Sequence, residues 1–150
     1  MMEAELKRVI RDFPDYPKPG IIFKDISPIL MDVDLYGQVI STFAERIREM
    51  NIDAIVGIES RGFWFGPSIA HLLNIPFIPI RKKGRLPGET YSYSYDLEYG
   101  SATIEVQKDS LPKGVRVLIH DDLLATGGTA KAAAKLVSQA GAEAVAFAFL

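Results

Sequence analysis

The sequence predicts an α/β fold built on a parallel sheet, and three observations carry the prediction. Short β-branched runs alternate with segments of helical periodicity over most of the 150 residues. Glycine or polar turns separate them. Three of the most reactive-looking stretches, 59–63, 81–85 and 121–129, each follow directly on a predicted strand. Alternating strands and helices imply parallel pairing through right-handed crossovers. Ligands of such sheets sit beyond the C-terminal ends of the strands, so sequence-distant stretches would meet on one rim.

Each element has its own signal. Residues 3–12 read as a short amphipathic helix, and 13–20, with three prolines and a glycine, as a loop. Leu35, Val39, Ile40, Phe43, Ala44 and Ile47 recur at helical spacing in 34–50, with Asp34 as candidate cap. Residues 52–58 form the first predicted core strand, and 62–73 a helix with a bulky apolar face. Residues 76–80 are the second strand; Pro76 and Pro79 predict short or edge pairing. Residues 84–100 carry four tyrosines and little helical pattern, which suits a flexible hairpin closed by a strand near 102–107. Lys113-Gly114 turns into the strand 115–120; an alanine-rich helix over 130–140 stops at Gly141, and 143–149 is the last strand. There are no internal repeats and no low-complexity segment.

Bulk properties narrow the function classes. The length suits one domain with a real core. A net charge of −2 gives no general attraction to nucleic acid or membranes. The chain has no cysteine, which excludes disulfides and thiolate zinc sites. His71 and His120 are too far apart in sequence to suggest a metal cluster. No apolar run is long enough to span a bilayer. The N-terminus is charged and helix-like rather than a signal peptide, so a cytoplasmic protein is expected.

The most informative stretch is Val117-Leu-Ile-His-Asp-Asp-Leu-Leu-Ala-Thr-Gly-Gly-Thr129. A buried strand ends at two carboxylates, Asp121 and Asp122, followed by the small-residue turn Ala125, Thr126, Gly127, Gly128 and Thr129 at the start of a helix. N–H groups of such a turn attract a phosphate. Gly127 and Gly128 let the backbone come close to it, and the threonines add hydroxyl donors. The aspartates cannot share that phosphate; they suit hydroxyls or a metal ion one sugar-length away. Read separately, Thr129 is a plain N-cap and the acidic pair a solvated surface. In this order after a strand, the parts make a sugar-phosphate site. The Gly-Lys-Ser/Thr ending of a P-loop and the three-glycine dinucleotide spacing are both missing.

Three further stretches have competing readings. Glu59-Ser60-Arg61-Gly62 offers turn N–H groups and the Arg61 fork to phosphate oxygens, or is a helix start capped by Ser60. Arg81, Lys82, Lys83 and Arg85 are a solvated basic cluster, or the positive side of a site for a ligand with several phosphates. Phe23, in Ile21-Ile22-Phe23-Lys24-Asp25, is either core or a stacking face for a flat ring. Glu89, Glu98 and Glu105 are equally eligible as a loop carboxylate.

These stretches together resemble the type I phosphoribosyltransferase family, and more narrowly its adenine-using branch. The resemblance runs from about Phe13 to the last residue. It rests on 117–129, Pro19–Pro28, Gly57–Phe63, and Arg81–Gly88 leading to Leu97-Glu-Tyr-Gly100. It implies the parallel-sheet fold of that family, with a flexible hairpin loop and an N-terminal hood. Residues 1–150 would be a single domain, 1–35 the base-binding hood and 50–150 the α/β core. The implied reaction moves the 5-phosphoribosyl group from phosphoribosyl diphosphate (PRPP) to N9 of adenine, giving AMP and pyrophosphate. Asp121 and Asp122 would hold the ribose hydroxyls, and Ala125 to Thr129 the 5′-phosphate. Ser60, Arg61, Arg81, Lys82 and Arg85 would hold the pyrophosphate, with a cis peptide before Ser60. Arg81 would reach the neighbouring subunit's site, which implies a homodimer. Glu98 would act as proton shuttle at the purine, and Ile22, Phe23 and Lys24 would bind adenine. Mg²⁺ would be held mainly through PRPP, with no direct protein ligand, and neither nucleic acid nor membrane would be a partner.

Three positions depart from the family pattern: Lys24 stands where arginine is usual, His120 where an aliphatic residue is usual, and the chain stops at Leu150 where the family continues. A hydrogen-bonded structural histidine is expected at 120. Other readings are a transferase for xanthine or orotate, a non-catalytic PRPP-binding regulator, or a folded inactive fragment.

Overall fold

The computed structural model describes residues 2–97 and 100–150. Two compact units make up the chain, Met1–Thr42 and Phe43–Leu150.

The first unit contains helix α1 (Met2–Val9), strands β1 (Arg11–Pro14) and β2 (Ile22–Asp25), helix α2 (Ser27–Met31) and the start of helix α3 (Val33–Ile47). Ile26, Ile29, Leu35, Val39 and Ile40 are its buried residues. The predicted helix over 3–12 stops short because Arg11 and Asp12 join an antiparallel ladder, opposite Asp25 and Lys24. Two ion pairs across that ladder, Arg11–Asp25 at 2.5 Å and Lys24–Asp12 at 2.7 Å, help hold it. Four-residue strands with no alternation of apolar side chains leave no period-two signal in the sequence. The cap of α3 also differs from expectation. Asp32 accepts the Leu35 N–H at 3.0 Å, while Asp34 lies inside the first turn.

In the second unit, strands β3 (Ala54–Ile58), β4 (Phe77–Lys82), β5 (Thr90–Asp96), β6 (Ser101–Gln107), β7 (Arg116–His120) and β8 (Glu143–Ala148) form one sheet in the order β5-β6-β4-β3-β7-β8. β4, β3, β7 and β8 are parallel, and β6 and β5 continue the sheet antiparallel. A one-turn 3₁₀ helix (Arg61–Phe63) precedes helix α4 (Gly66–Leu73), and helix α5 (Gly128–Gln139) joins β7 to β8. Val56, Ile58, Ile80, Val117, Ile119, Ala133, Leu136 and Val137 belong to the buried core between α5 and the sheet.

β4 is an interior strand; of the two alternatives its prolines predict, edge or short pairing, the short one holds, since it pairs with β6 only at Arg81 and Lys82. The carbonyls of Pro76 and Ile80 accept from β3, which turns the Pro79 nitrogen to the other side. Pairing with β6 starts only at Arg81, so no ladder partner needs the hydrogen that proline lacks. The tyrosine-rich stretch forms a paired hairpin, from Thr90↔Gln107 to Asp96↔Ser101. Tyr91, Tyr93 and Tyr95 share the face that packs on the core. Gly141, at φ +82°, ends α5 as expected, its N–H reaching the Ser138 carbonyl at 2.9 Å.

Candidate active site

β4, β3 and β7 lie side by side and point the same way, so the loops after them share one rim. Ion pairs stitch these loops together. Arg81 reaches Glu59 through Nη2 at 3.1 Å and Nε at 3.3 Å, linking the end of β4 to the loop after β3. The Lys82 N–H adds a bond to the same carboxylate at 2.9 Å. Burial pushes the Glu59 pKa up, but the bonds from Arg81 and Lys82 outweigh it and the net shift is downward. Arg61 meets Asp122 at 2.5 Å, linking the loops after β3 and β7. Gly62 allows this approach: a Cβ there would lie 2.7 Å from the His120 carbonyl oxygen, backbone that cannot give way. The Glu59–Ser60 peptide is cis, and the Ser60 side chain makes no cap bond to the turn that follows.

The two adjacent aspartates have different surroundings. Asp122 is buried, 6% exposed, and faces Arg61. Asp121 is half-buried and lines a pocket of about 80 Å³ with Leu123 to Ala130 and Phe149. One of its oxygens accepts the Asp122 N–H at 2.9 Å. Burial, reinforced by the neighbouring Asp122 charge, pushes the Asp121 pKa up to about 7 despite that bond and the Arg61 charge. The rest of the pocket is the predicted turn. Gly127 takes φ +83° and α5 begins at Gly128. The first helical donor is Lys131, to the Gly127 carbonyl at 2.9 Å. Gly128, Thr129 and Ala130 line the pocket, and their N–H groups precede the helical ladder, that of Gly128 reaching Thr126 Oγ1 at 3.5 Å. Such a pocket can take a phosphoryl group.

Other polar residues around this rim have partners that only the fold brings together. Glu105, a buried carboxylate, accepts the Gly84 N–H and the Ser92 hydroxyl, each at 3.0 Å, and so ties the basic turn 82–85 to the hairpin. The Tyr95 hydroxyl lies 3.2 Å from Thr129 Oγ1. His120 is fully buried, edge-on to Phe43 and Phe65, with Nδ1 3.0 Å from the Ala148 carbonyl and Nε2 without a partner. Burial pulls its pKa down to about 4. It is a structural histidine, as expected. Glu98, the predicted proton shuttle, lies outside the described residues.

In the first unit, Phe23 is half-buried and edge-on to Tyr16 at 5.3 Å. With Phe13, Tyr16 and Asp25 it lines a cavity of about 250 Å³. Ile22 is exposed, and the Lys24 ammonium is bound by both Asp12 oxygens at 2.7 Å. Among the described residues, no three acidic or histidine side chains converge on a metal site.

The profile of the phosphoribosyl transferase domain matches residues 32–150, and the chain belongs to that family. A relative from Cytophaga hutchinsonii is 51% identical over all of this chain and 83% of its own length. A crystal structure from Thermoanaerobacter pseudethanolicus superposes with a TM-score of 0.96 at 47% identity, covering 100% of this chain and 87% of that one. Another, from Saccharomyces cerevisiae, has a TM-score of 0.93 at 43% identity and covers 99% and 86%; it holds an imino-altritol bisphosphate and adenine. All three are adenine phosphoribosyltransferases, and within the family this chain groups with them.

Proposed function

We infer that the protein transfers the 5-phosphoribosyl group of PRPP to N9 of adenine, releasing pyrophosphate and forming AMP. The observation that carries this is the pocket in which Asp121 and the 125–129 turn face the same small volume. A ribose 5-phosphate is a ligand with hydroxyls at one end and a dianion at the other, which matches the carboxylate and the N–H groups. The adenine bound in the yeast relative's crystal structure supports the choice of base.

The residues divide the work. Ala125, Thr126, Gly127, Gly128 and Thr129 anchor the 5′-phosphate and hold the sugar still while C1′ passes from leaving group to nucleophile. Asp121 and Asp122 bind the ribose hydroxyls, Asp122 giving up part of its Arg61 contact as pyrophosphate draws the guanidinium away. Their charge also favours an oxocarbenium-like transition state. Ser60, Arg61, Arg81, Lys82 and Arg85 hold the pyrophosphate. Ile22, Phe23 and Lys24 form the adenine site, with Lys24 acting through its backbone because Asp12 occupies its ammonium. Glu98 exchanges a proton with N7 of the purine. Mg²⁺, held mainly through PRPP oxygens with no direct protein ligand, would neutralise the departing pyrophosphate; Asp121 would meet it only through the ribose hydroxyls it binds. We place the enzyme in the cytoplasm as a homodimer, with Arg81 contributing to the partner's pyrophosphate site.

A mixture of PRPP, Mg²⁺ and adenine assayed for AMP tests the reading. AMP and pyrophosphate should appear in equal amounts. Turnover should fall by about 10²-fold or more in Asp121→Asn. Preference for xanthine or orotate would overturn the base assignment, and PRPP binding without pyrophosphate release would overturn catalysis itself.

A further inference from the structure

The hairpin β5–β6 and the phosphate turn are far apart in sequence, yet a hydrogen bond joins them. The Tyr95 hydroxyl stands 3.2 Å from Thr129 Oγ1. Tyr95 is held from both sides. Its ring packs with Tyr91 and Tyr93 on the core, and its backbone is locked in register opposite Ala102. The hydroxyl is therefore delivered by a rigid platform, and Thr129 is the partner with a freely rotating hydroxyl. A threonine hydroxyl has one proton to give. If that proton points at Tyr95, it is not available to a ligand in the pocket that Thr129 lines.

We propose that Tyr95 is a positioning residue for the 5′-phosphate: its phenol donates to Thr129 Oγ1 and so directs the threonine proton into the pocket. The relay runs from phenol to threonine to phosphoryl oxygen, the two hydroxyls each donating once and the phosphoryl oxygen accepting. It rests on the reading of 125–129 as the phosphate site. A bound phosphate reinforces the phenol–threonine bond, because a hydroxyl that donates to an anion becomes a better acceptor. The same bond therefore draws β5 against the occupied phosphate site. Phosphate occupancy and hairpin docking become one event.

The test is binding of ribose 5-phosphate and, separately, of magnesium pyrophosphate to wild type, Tyr95→Phe, Thr129→Val and the double variant. Phenylalanine keeps the ring packing and removes only the oxygen. The Kd for ribose 5-phosphate should rise about three- to tenfold in Tyr95→Phe, the loss expected for one hydrogen bond, with the pyrophosphate Kd unchanged. In Thr129→Val the further change Tyr95→Phe should have no effect, since the relay is already cut. Additive losses, equal weakening of both ligands, or unchanged ribose 5-phosphate binding in Tyr95→Phe would each overturn the proposal. Wild type failing to bind ribose 5-phosphate at all would instead overturn the phosphate site, and the relay with it.

Discussion

Asp121, Asp122 and His120 are consecutive, and the fold gives each a different task. His120 points into the core, Asp121 lines the pocket, and Asp122 meets Arg61. The histidine has a measurable consequence. Its folded pKa, about 4, lies below its ordinary 6.5 because the buried ring must be neutral. Between those values the unfolded chain binds the proton that the folded one refuses. Its contribution is therefore complete above about 6.5 and is lost as pH falls towards 4. Asp121 acts in the opposite sense: its raised pKa makes the fold less stable as pH climbs from about 4 through 7. A variant that keeps Asp121 isolates the histidine. His120→Val leaves the Ala148 carbonyl with the Asp121 N–H at 3.3 Å. We expect the stability lost between pH 7 and pH 4.5 to be smaller in His120→Val than in wild type, by on the order of 1–3 kcal/mol. Denaturant melts at the two pH values measure it; identical losses would show that the buried ring does not titrate.

At the scale of the element, the β7–turn–α5 unit separates two uses of glycine. Gly127 sits at φ +83°, where a side chain is strained whatever space surrounds it. Gly128 has no such constraint, and a Cβ there would meet Thr126 Oγ1 at an ordinary 3.6 Å. The fold itself has no need of glycine at 128; the proposed phosphate, approaching the Gly128 N–H, would need it. Gly127→Ala should cost about 1–2 kcal/mol of stability through backbone strain. Gly128→Ala should fold with stability within about 0.5 kcal/mol of wild type, yet bind ribose 5-phosphate roughly tenfold more weakly. Calorimetric titration beside thermal melts separates the two. Normal binding by Gly128→Ala would mean that the phosphate does not rest on that amide.

For the whole molecule, the sheet gathers the candidate site on one rim, and the proposed homodimer would complete it. Arg81 already has an intrachain partner in Glu59, yet its side chain remains 33% exposed at the rim. The proposed role in a neighbouring site requires a second copy. Sedimentation should therefore give twice the 16.6 kDa chain mass, at concentrations where the enzyme is active. A sharp monomer boundary with full turnover would remove Arg81 from the shared-site scheme. No described helix is long and apolar enough to cross a membrane.

The sequence by itself determined the order of the strands and helices in the core and the glycine turn between β7 and α5. Period and punctuation are local, and a glycine turn after a β-branched run keeps its meaning wherever the strand ends up. It also placed three reactive stretches at strand ends, because a parallel sheet has one rim for all of them. What it could not contain was pairing. The four-residue ladder of β1 and β2 owes its cross-strand ion pairs to side chains 12 and 14 residues apart, and nothing in either segment announces the other. The interior position of β4 depended on where β6 begins. Only the tertiary structure decided that Asp122 would face Arg61 while Asp121 faced the pocket, and that Tyr95 would find Thr129. Adjacent residues on an irregular turn can point anywhere, and hydrogen bonds between distant segments are set by packing rather than by the local chain.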